Sequence, residues 1–316
     1  MKNALFYLMT VLIWGSTWIG IKLQLGAVEP IVSVTYRFAL ASLILLFWCR
    51  IRGLNMRFTK REHGFILLQG IFLFGFNYLL FYVAELHVTS GLAAVIFSTI
   101  LMMNMINGAI FLRTPIDGRV IIGGVLGLAG IVLVFRPEIT TFSLENDGVF
   151  GIACCMAATM LASWGNIISA RNQKRSLPII QTNAFGMGYG ALAMLLTALI
   201  TGKTFTFDPS SVYIGSLVYL ALFGSVIAFG CYLSLVGSIG ADRAAYATLL
   251  FPIVALVIST IWEDYHWSPS SLIGVSMILL GNLWMLRKNK KNQNTAAANR
   301  LKRIFAKNPE PKPRRI

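Results

Sequence analysis

The sequence predicts an all-α membrane protein, with ten transmembrane helices arranged as two inverted five-helix repeats. Three observations carry that expectation. The first is composition: of 316 residues, 56% are apolar and 12% charged, and the mean hydropathy is +0.71. Soluble proteins carry about a quarter charged residues, and one soluble domain of this size cannot hide so much apolar surface. The second is the spacing of apolar stretches, each about as long as the roughly 20 residues needed to cross a bilayer. The third is the recurrence of short motifs at one constant offset.

The apolar stretches run approximately 4–21, 31–49, 64–84, 90–112, 118–135, 148–169, 179–201, 212–235, 240–262 and 269–286. The connections are short and leave no room for a soluble domain. The first stretch follows Lys2 without a small-residue cleavage site, so it reads as a retained helix. Placing the N-terminus in the cytoplasm puts 23 of the 27 Lys and Arg on the inner side and three, Lys22, Arg136 and Lys203, on the outer side. This bias predicts an even number of spans and two cytoplasmic termini.

Eleven of the basic residues lie in 287–316 with one acid, Glu310. A basic segment beside a membrane meets anionic lipid at about 1 kcal/mol per charge, so lipid rather than nucleic acid is its expected partner. Cys49, Cys154, Cys155 and Cys231 lie in apolar stretches, and their spacing suits packing better than a metal site or a disulfide framework. No cofactor or metal is expected.

Trp14-Gly15 recurs as Trp164-Gly165 at an offset of 150. Ala93-Ala94 recurs as Ala244-Ala245, and Ile122-Gly123 with Gly130 recurs as Ile273-Gly274 with Gly281, both at 151. Ordered matches at nearly one offset indicate duplication. Five spans per copy is an odd number, so the second copy enters from the opposite side. The units expected are 1–136, an outer linker 137–147, 148–286, and a basic cytoplasmic tail 287–316. Inverted repeats suit alternating access to one site near the midplane.

At this point the chain resembles the drug/metabolite transporter superfamily, in particular its EamA-type branch. The stretches carrying the resemblance are Leu12-Ile13-Trp14-Gly15-Ser16-Thr17, Arg37-Phe38, Gly91-Leu92-Ala93-Ala94, Gly123 to Gly130, Gly240-Ala241-Asp242-Arg243-Ala244, Pro252 and Glu263. The first copy departs from the pattern: where the second has Pro252 and Glu263, it has Leu101 and Leu112. The resemblance implies secondary transport of a small metabolite, an amino acid or related solute, across a bacterial inner membrane, with export the expected direction. The alternatives are an intramembrane enzyme, for which no catalytic constellation stands within the spans, and a receptor or scaffold, which has no need of inverted duplication.

Candidate substrate-binding residues are the polar and aromatic groups inside the spans. Arg37 is the charge well inside a span, and its guanidinium suits an anionic group; the competing role is a helix-end anchor. Trp14, Asn77, Tyr78, Tyr82, Asn104, Trp164, Asn166 and Tyr246 complete the set, with Thr17, Trp18 and Tyr232 beside them. Amides in lipid are costly unless they face a partner or a cavity. Pro252 is expected to kink its helix. Gly123-x-x-x-Gly127 and Gly186-x-x-x-Gly190 are expected to pack helices internally, leaving a monomer or weak dimer. Glu85, Glu263 and Asp242 stand at span ends, so coupling uses a terminal carboxylate such as Glu85 or transport is uncoupled, and a proton gradient is not expected to be strictly required.

Overall fold

The computed structural model describes residues 2–113, 118–134, 147–239 and 247–286. Every regular element among them is helical: α1 (Lys2–Lys22), α2 (Pro30–Ile51), α3 (Lys60–Gly70), α4 (Asn77–Ala84), α5 (Ser90–Phe97), α6 (Ile100–Leu112), α7 (Gly118–Val134), α8 (Asp147–Lys174), α9 (Ile179–Ile200), α10 (Ser211–Val218), α11 (Ala228–Ile239), α12 (Ala247–Trp262) and α13 (Pro269–Leu286). α3 runs into α4 through a π-helical segment, Ile71–Phe76, and α10 into α11 through another, Tyr219–Ile227. The compact body ends at Met285.

Among the described residues, seven helices are long and apolar enough to cross a membrane: Asn3–Lys22, Pro30–Ile51, Lys60–Ala84, Ser90–Leu112, Asp147–Lys174, Ile179–Ile200 and Ser211–Tyr232. Shorter apolar helices cover Val125–Val134, Leu250–Trp262 and Pro269–Gly281. Their lipid-facing sides are as apolar as their packed sides. Leu43, Phe47, Ile200 and Ile261 all point outward and are at least 64% exposed, which only a hydrocarbon surround makes favourable.

The helix starts follow local chemistry. Pro30 begins α2 at the position where its missing N–H costs nothing. Thr59 and Glu62 form a reciprocal capping box on α3, and Ser210 accepts from the Tyr213 N–H to cap α10. The interruption between α5 and α6 falls on Ser98 and Thr99. Their hydroxyls bond back to the carbonyls of Val95 (2.6 Å) and Ile96 (2.7 Å), offering those carbonyls an alternative to the helical ladder. In the second π segment Ser225 Oγ donates to the Leu220 carbonyl, five residues back, at 3.0 Å.

The body packs around two apolar clusters. One centres on Val32, Val34, Phe38 and Ala41 of α2 against Ala184, Met187 and Met194 of α9. The other joins Ala93, Ala94 and Ile96 of α5 to Cys155 and Ala158 of α8 and Phe251 and Leu256 of α12. α1 packs on α12 and α11, while α8 packs on α4, α6 and α3.

Glycines set the closest crossings. A Cβ on Gly130 would lie 2.6 Å from the Gly274 carbonyl oxygen, and one on Gly274 would lie 2.5 Å from that of Gly130. Gly281 likewise faces the Gly123 carbonyl at 2.6 Å and the Gly127 amide nitrogen at 3.3 Å. Gly70 and Gly190 meet backbone to backbone between α3 and α9. The Gly123/Gly127 and Gly186/Gly190 motifs therefore serve packing inside the chain.

Overpacking at such a crossing costs about 1–3 kcal/mol or more. Gly130→Val and Gly274→Val are each expected to lower the thermal unfolding midpoint of the purified protein in detergent. Gly215→Ala on α10, where nothing lies within 4 Å of the added methyl, is expected to leave it unchanged.

Candidate substrate cavity

A cavity of about 440 Å³ lies inside the helical body. α1 supplies Trp14, Thr17, Trp18 and Ile21 to its wall. Leu73, from the first π segment, is followed by Asn77, Tyr78 and Phe81 of α4. Phe97, Ile100 and Asn104 come from either side of the α5–α6 interruption; Ala162, Asn166, Ile167 and Ala170 come from α8. Phe229 and Tyr232 of α11 and Phe251 of α12 close it. The lining is mostly apolar and aromatic with a few amides and hydroxyls, as in sites for small organic molecules.

The aromatic walls are interlocked. Trp14 donates its indole N–H to the Gly224 carbonyl at 3.3 Å and packs against Phe229 and Tyr232, with ring centres 5.3 and 5.2 Å away. Trp18 sits edge-on to Phe81 at 5.0 Å and is flanked by Phe97 and Phe251. Such contacts fix ring orientation beyond what burial alone achieves. The polar groups differ in their commitments. Asn166 donates to Asn104 at a long 3.4 Å, whereas the side-chain oxygen of buried Asn77 has no partner. An orphan acceptor beside a cavity is a ready position for a ligand donor or a water.

Five of the sequence candidates, Trp14, Asn77, Tyr78, Asn104 and Asn166, therefore meet at one cavity, and Thr17, Trp18 and Tyr232 join them. Arg37 lies one layer behind. It is 1% exposed, with its guanidinium 4.6 Å from the centre of the Tyr78 ring and 5.2 Å from that of Phe38. A Cβ on Gly224 would meet Thr17 Cγ2 at 2.8 Å and Arg37 Nη2 at 3.4 Å, so only glycine lets that helix pass between them. Arg37 Nε and Nη1 have no hydrogen-bond partner. Tyr82 is also behind the wall, its hydroxyl bonded to Gln24 Oε1 at 2.5 Å. Trp164 is 37% exposed and packs edge-on to Phe72, away from the cavity. Pro252 is buried within α12 beside the lining residue Phe251. Tyr246 lies outside the described residues.

The lining also contains residues that a search for polar and aromatic groups passes over: Ile21, Leu73, Ile100, Ala162, Ile167 and Ala170. In a chain so apolar, nothing in sequence separates an aliphatic residue facing a cavity from one facing lipid. The span-end acids are a second departure. Glu85 is fully buried and the Glu263 side chain is 8% exposed, although both stand at helix ends.

A helical membrane body enclosing a cavity of metabolite size defines a multi-pass protein that handles solutes within the bilayer. The chain belongs to the EamA-like transporter family, whose model matches residues 1–136 and 149–287. It is 24% identical to an uncharacterized transporter of Clostridium kluyveri, over 96% of this chain and 97% of the relative. It is 27% identical to the Salmonella typhimurium protein PagO, over 88% and 90%, and 25% identical to the uncharacterized inner membrane transporter YedA of Escherichia coli, over 82% and 81%. A crystal structure 16% identical in sequence superposes with a TM-score of 0.64 over 95% of this chain and 98% of its own, sharing the fold.

Solvent access to the cavity predicts a checkable difference between residues. The four native cysteines are buried, and buried thiols are inert. Asn104→Cys and Tyr78→Cys should react with a small water-soluble thiol reagent about tenfold faster than Phe74→Cys, whose parent side chain is fully buried outside the lining. Mass spectrometry of the labelled protein reads the result.

Proposed function

We propose that this chain is a secondary transporter that moves a small organic metabolite, an amino acid or related solute, outward across a bacterial inner membrane by alternating access. The observation that carries the proposal is the cavity, whose walls come from both stretches matched by the family model. Stacked aromatic faces receive an apolar or aromatic side chain. Asn77, Asn104 and Asn166 offer donors and acceptors to a polar head group. The inner-membrane description of YedA and the 23-to-3 charge bias support an inner-membrane setting with both termini cytoplasmic.

Alternating access needs two equivalent halves, and four features support ten spans in two inverted repeats. Shifted by 151 residues, the π segment Ile71–Phe76 falls on 222–227, inside Tyr219–Ile227. The same shift takes Gly123 to Gly274 and Gly130 to Gly281, so the contacts Gly130–Gly274 and Gly123–Gly281 exchange with each other, as a two-fold axis requires. The α5–α6 interruption at Ser98-Thr99 maps two residues before Pro252. The two family-model matches fall at nearly the same division.

Arg37 is proposed to reach an anionic group of the substrate once Tyr78 or Thr17 shifts. Its unpartnered Nε and Nη1 each leave a charged N–H donor free for that contact. The basic tail is proposed to rest on anionic lipid, and the working unit is a monomer or weak dimer.

Flux into proteoliposomes, screened over labelled amino acids and related metabolites with counterflow, tests the central reading. Saturable exchange of at least one such solute is expected, and it should persist without a pH gradient; no flux for any solute in the screen would remove the proposal. Arg37→Gln should weaken binding of the transported solute about ten- to hundredfold and Arg37→Lys less. Unchanged affinity in folded Arg37→Gln would leave Arg37 a packing residue. A cytoplasm-active reporter fused after Lys291 should be active and a periplasm-active one silent.

A further inference from the structure

Four helix ends meet at one end of the cavity, the outer end in the orientation proposed above. Lys22 closes α1, Glu85 follows α4, Ser90 opens α5 and Glu263 follows α12. Glu263 accepts the Ser90 backbone N–H with both oxygens, at 3.1 and 3.0 Å, and the Ser90 hydroxyl as well. Lys22 Nζ stands 4.0 Å from Glu263 and donates to the Glu85 backbone carbonyl at 2.5 Å. Lys22 is the chain neighbour of Ile21 in the cavity lining, and Phe81, another lining residue, is one turn before Glu85. The arrangement is a clasp over that end of the cavity.

Within the clasp Glu85 is out of place. It is fully buried, and neither carboxylate oxygen has a hydrogen-bond partner. A charged carboxylate without donors in a dry site costs several kcal/mol, whereas the neutral acid costs far less. The groups facing it divide by sign. Lys22 from α1 and Arg37 from α2 favour the charge; Glu263 opposes it. Cys155 of α8, the principal helix against α4, and Tyr82 on α4 itself are the other titratable groups acting across this space. His87 lies two residues on, packed edge-on to Phe150.

We propose that Glu85 is a proton-binding site that governs the clasp: neutral, it leaves Lys22 with Glu263 and the end closed; ionised, it draws Lys22 away and the end opens. The chemistry is one reversible step, a proton joining a carboxylate oxygen to form O–H, with no other bond changed. The proposed route for the proton runs along Lys22, whose side chain is 36% exposed beside the buried acid. The sign follows: low pH closes this end and high pH opens it. This inference deepens the transport reading, on which it rests, by naming the coupling ion as a proton. Exchange can still run without a gradient, because the substrate itself can drive the return.

Infrared titration of the full-length protein in lipid, between about pH 5 and about pH 9, reads the carboxyl C=O band. A band that disappears on raising the pH and is absent in Glu85→Gln supports the proposal; a band unaffected by that substitution overturns it. Should Glu85→Gln fail to fold, Lys22→Gln keeps the question open to test. Removing the facing cation should move the midpoint up by at least about one pH unit, and an unmoved midpoint overturns the proposal. The clasp itself is read by Ile21→Cys with a membrane-impermeant thiol reagent, in right-side-out and inverted vesicles. Normalised to the thiolate fraction, which itself rises with pH, labelling should still rise with pH from one side only and lose that excess with Glu85→Gln; normalised labelling flat with pH overturns the gate. A normal titration together with no solute flux would sink the transport reading while leaving the proton site standing.

Discussion

A bilayer has no water with which to hydrogen-bond a backbone, so every N–H and C=O within it must be met from inside the protein. That constraint explains why the described elements are all helical and why they approach each other where they do. Lipid tails are as apolar as leucine, so burial contributes little to holding one helix against another. Close van der Waals contact must do it. The crossings at Gly130–Gly274, Gly123–Gly281 and Gly70–Gly190 bring backbone against backbone, which only residues without a Cβ allow. The cavity exists because elsewhere the same helices are held apart by rings: Trp14 on Phe229 and Tyr232, Trp18 on Phe81 and Phe97.

The polar groups fall into layers by how completely they are satisfied. Toward one end, Gln69 bonds Asn183 and receives Asn172, while Arg171 donates to Asn172, a closed network joining α3, α8 and α9. Around the cavity the satisfaction is partial, with Asn77 Oδ1 unmet and the Asn166–Asn104 bond long. Behind its wall and at the clasp, Arg37 and Glu85 carry unpartnered atoms in full burial. A fully paired network fixes one arrangement, and a partly paired one stores an incentive to rearrange. The gradient from paired to unpaired polar groups runs from rigid packing toward the parts proposed to move.

Much of this was legible in the sequence because it depends on composition and period. Apolar length predicted helices where they stand, and the recurrent Ile-Gly motif with its following glycine pointed to the glycines that meet across the body. Trp14, Asn77, Tyr78, Asn104 and Asn166 could be named because a polar or broad aromatic side chain within lipid needs a reason. The aliphatic half of the lining could not, since Leu73 and Ile100 look no different from residues that face lipid. Nor could depth be read from position along a helix. Arg37 lies under Tyr78 rather than in the cavity, and Glu85, one residue past a helix end, is fully buried because α1 and Glu263 fold over it. Trp164, whose Trp-Gly motif matches that of Trp14, turns outward instead.

The π-helical segments have a consequence for which side chains can share a wall. Each widened turn holds residues beyond the regular helical count, and every residue advances the helix by about 100°. Asn77 and Tyr78 directly follow the segment Ile71–Phe76, and Phe229 and Tyr232 shortly follow Tyr219–Ile227. The widened turns thus act as phase shifters, letting one face of α3 and α10 meet neighbouring helices while a differently phased face of α4 and α11 meets the cavity. Losing a single residue from either turn would restore regular winding and rotate a whole set of lining side chains out of the wall, with no change in which residues the wall is made from.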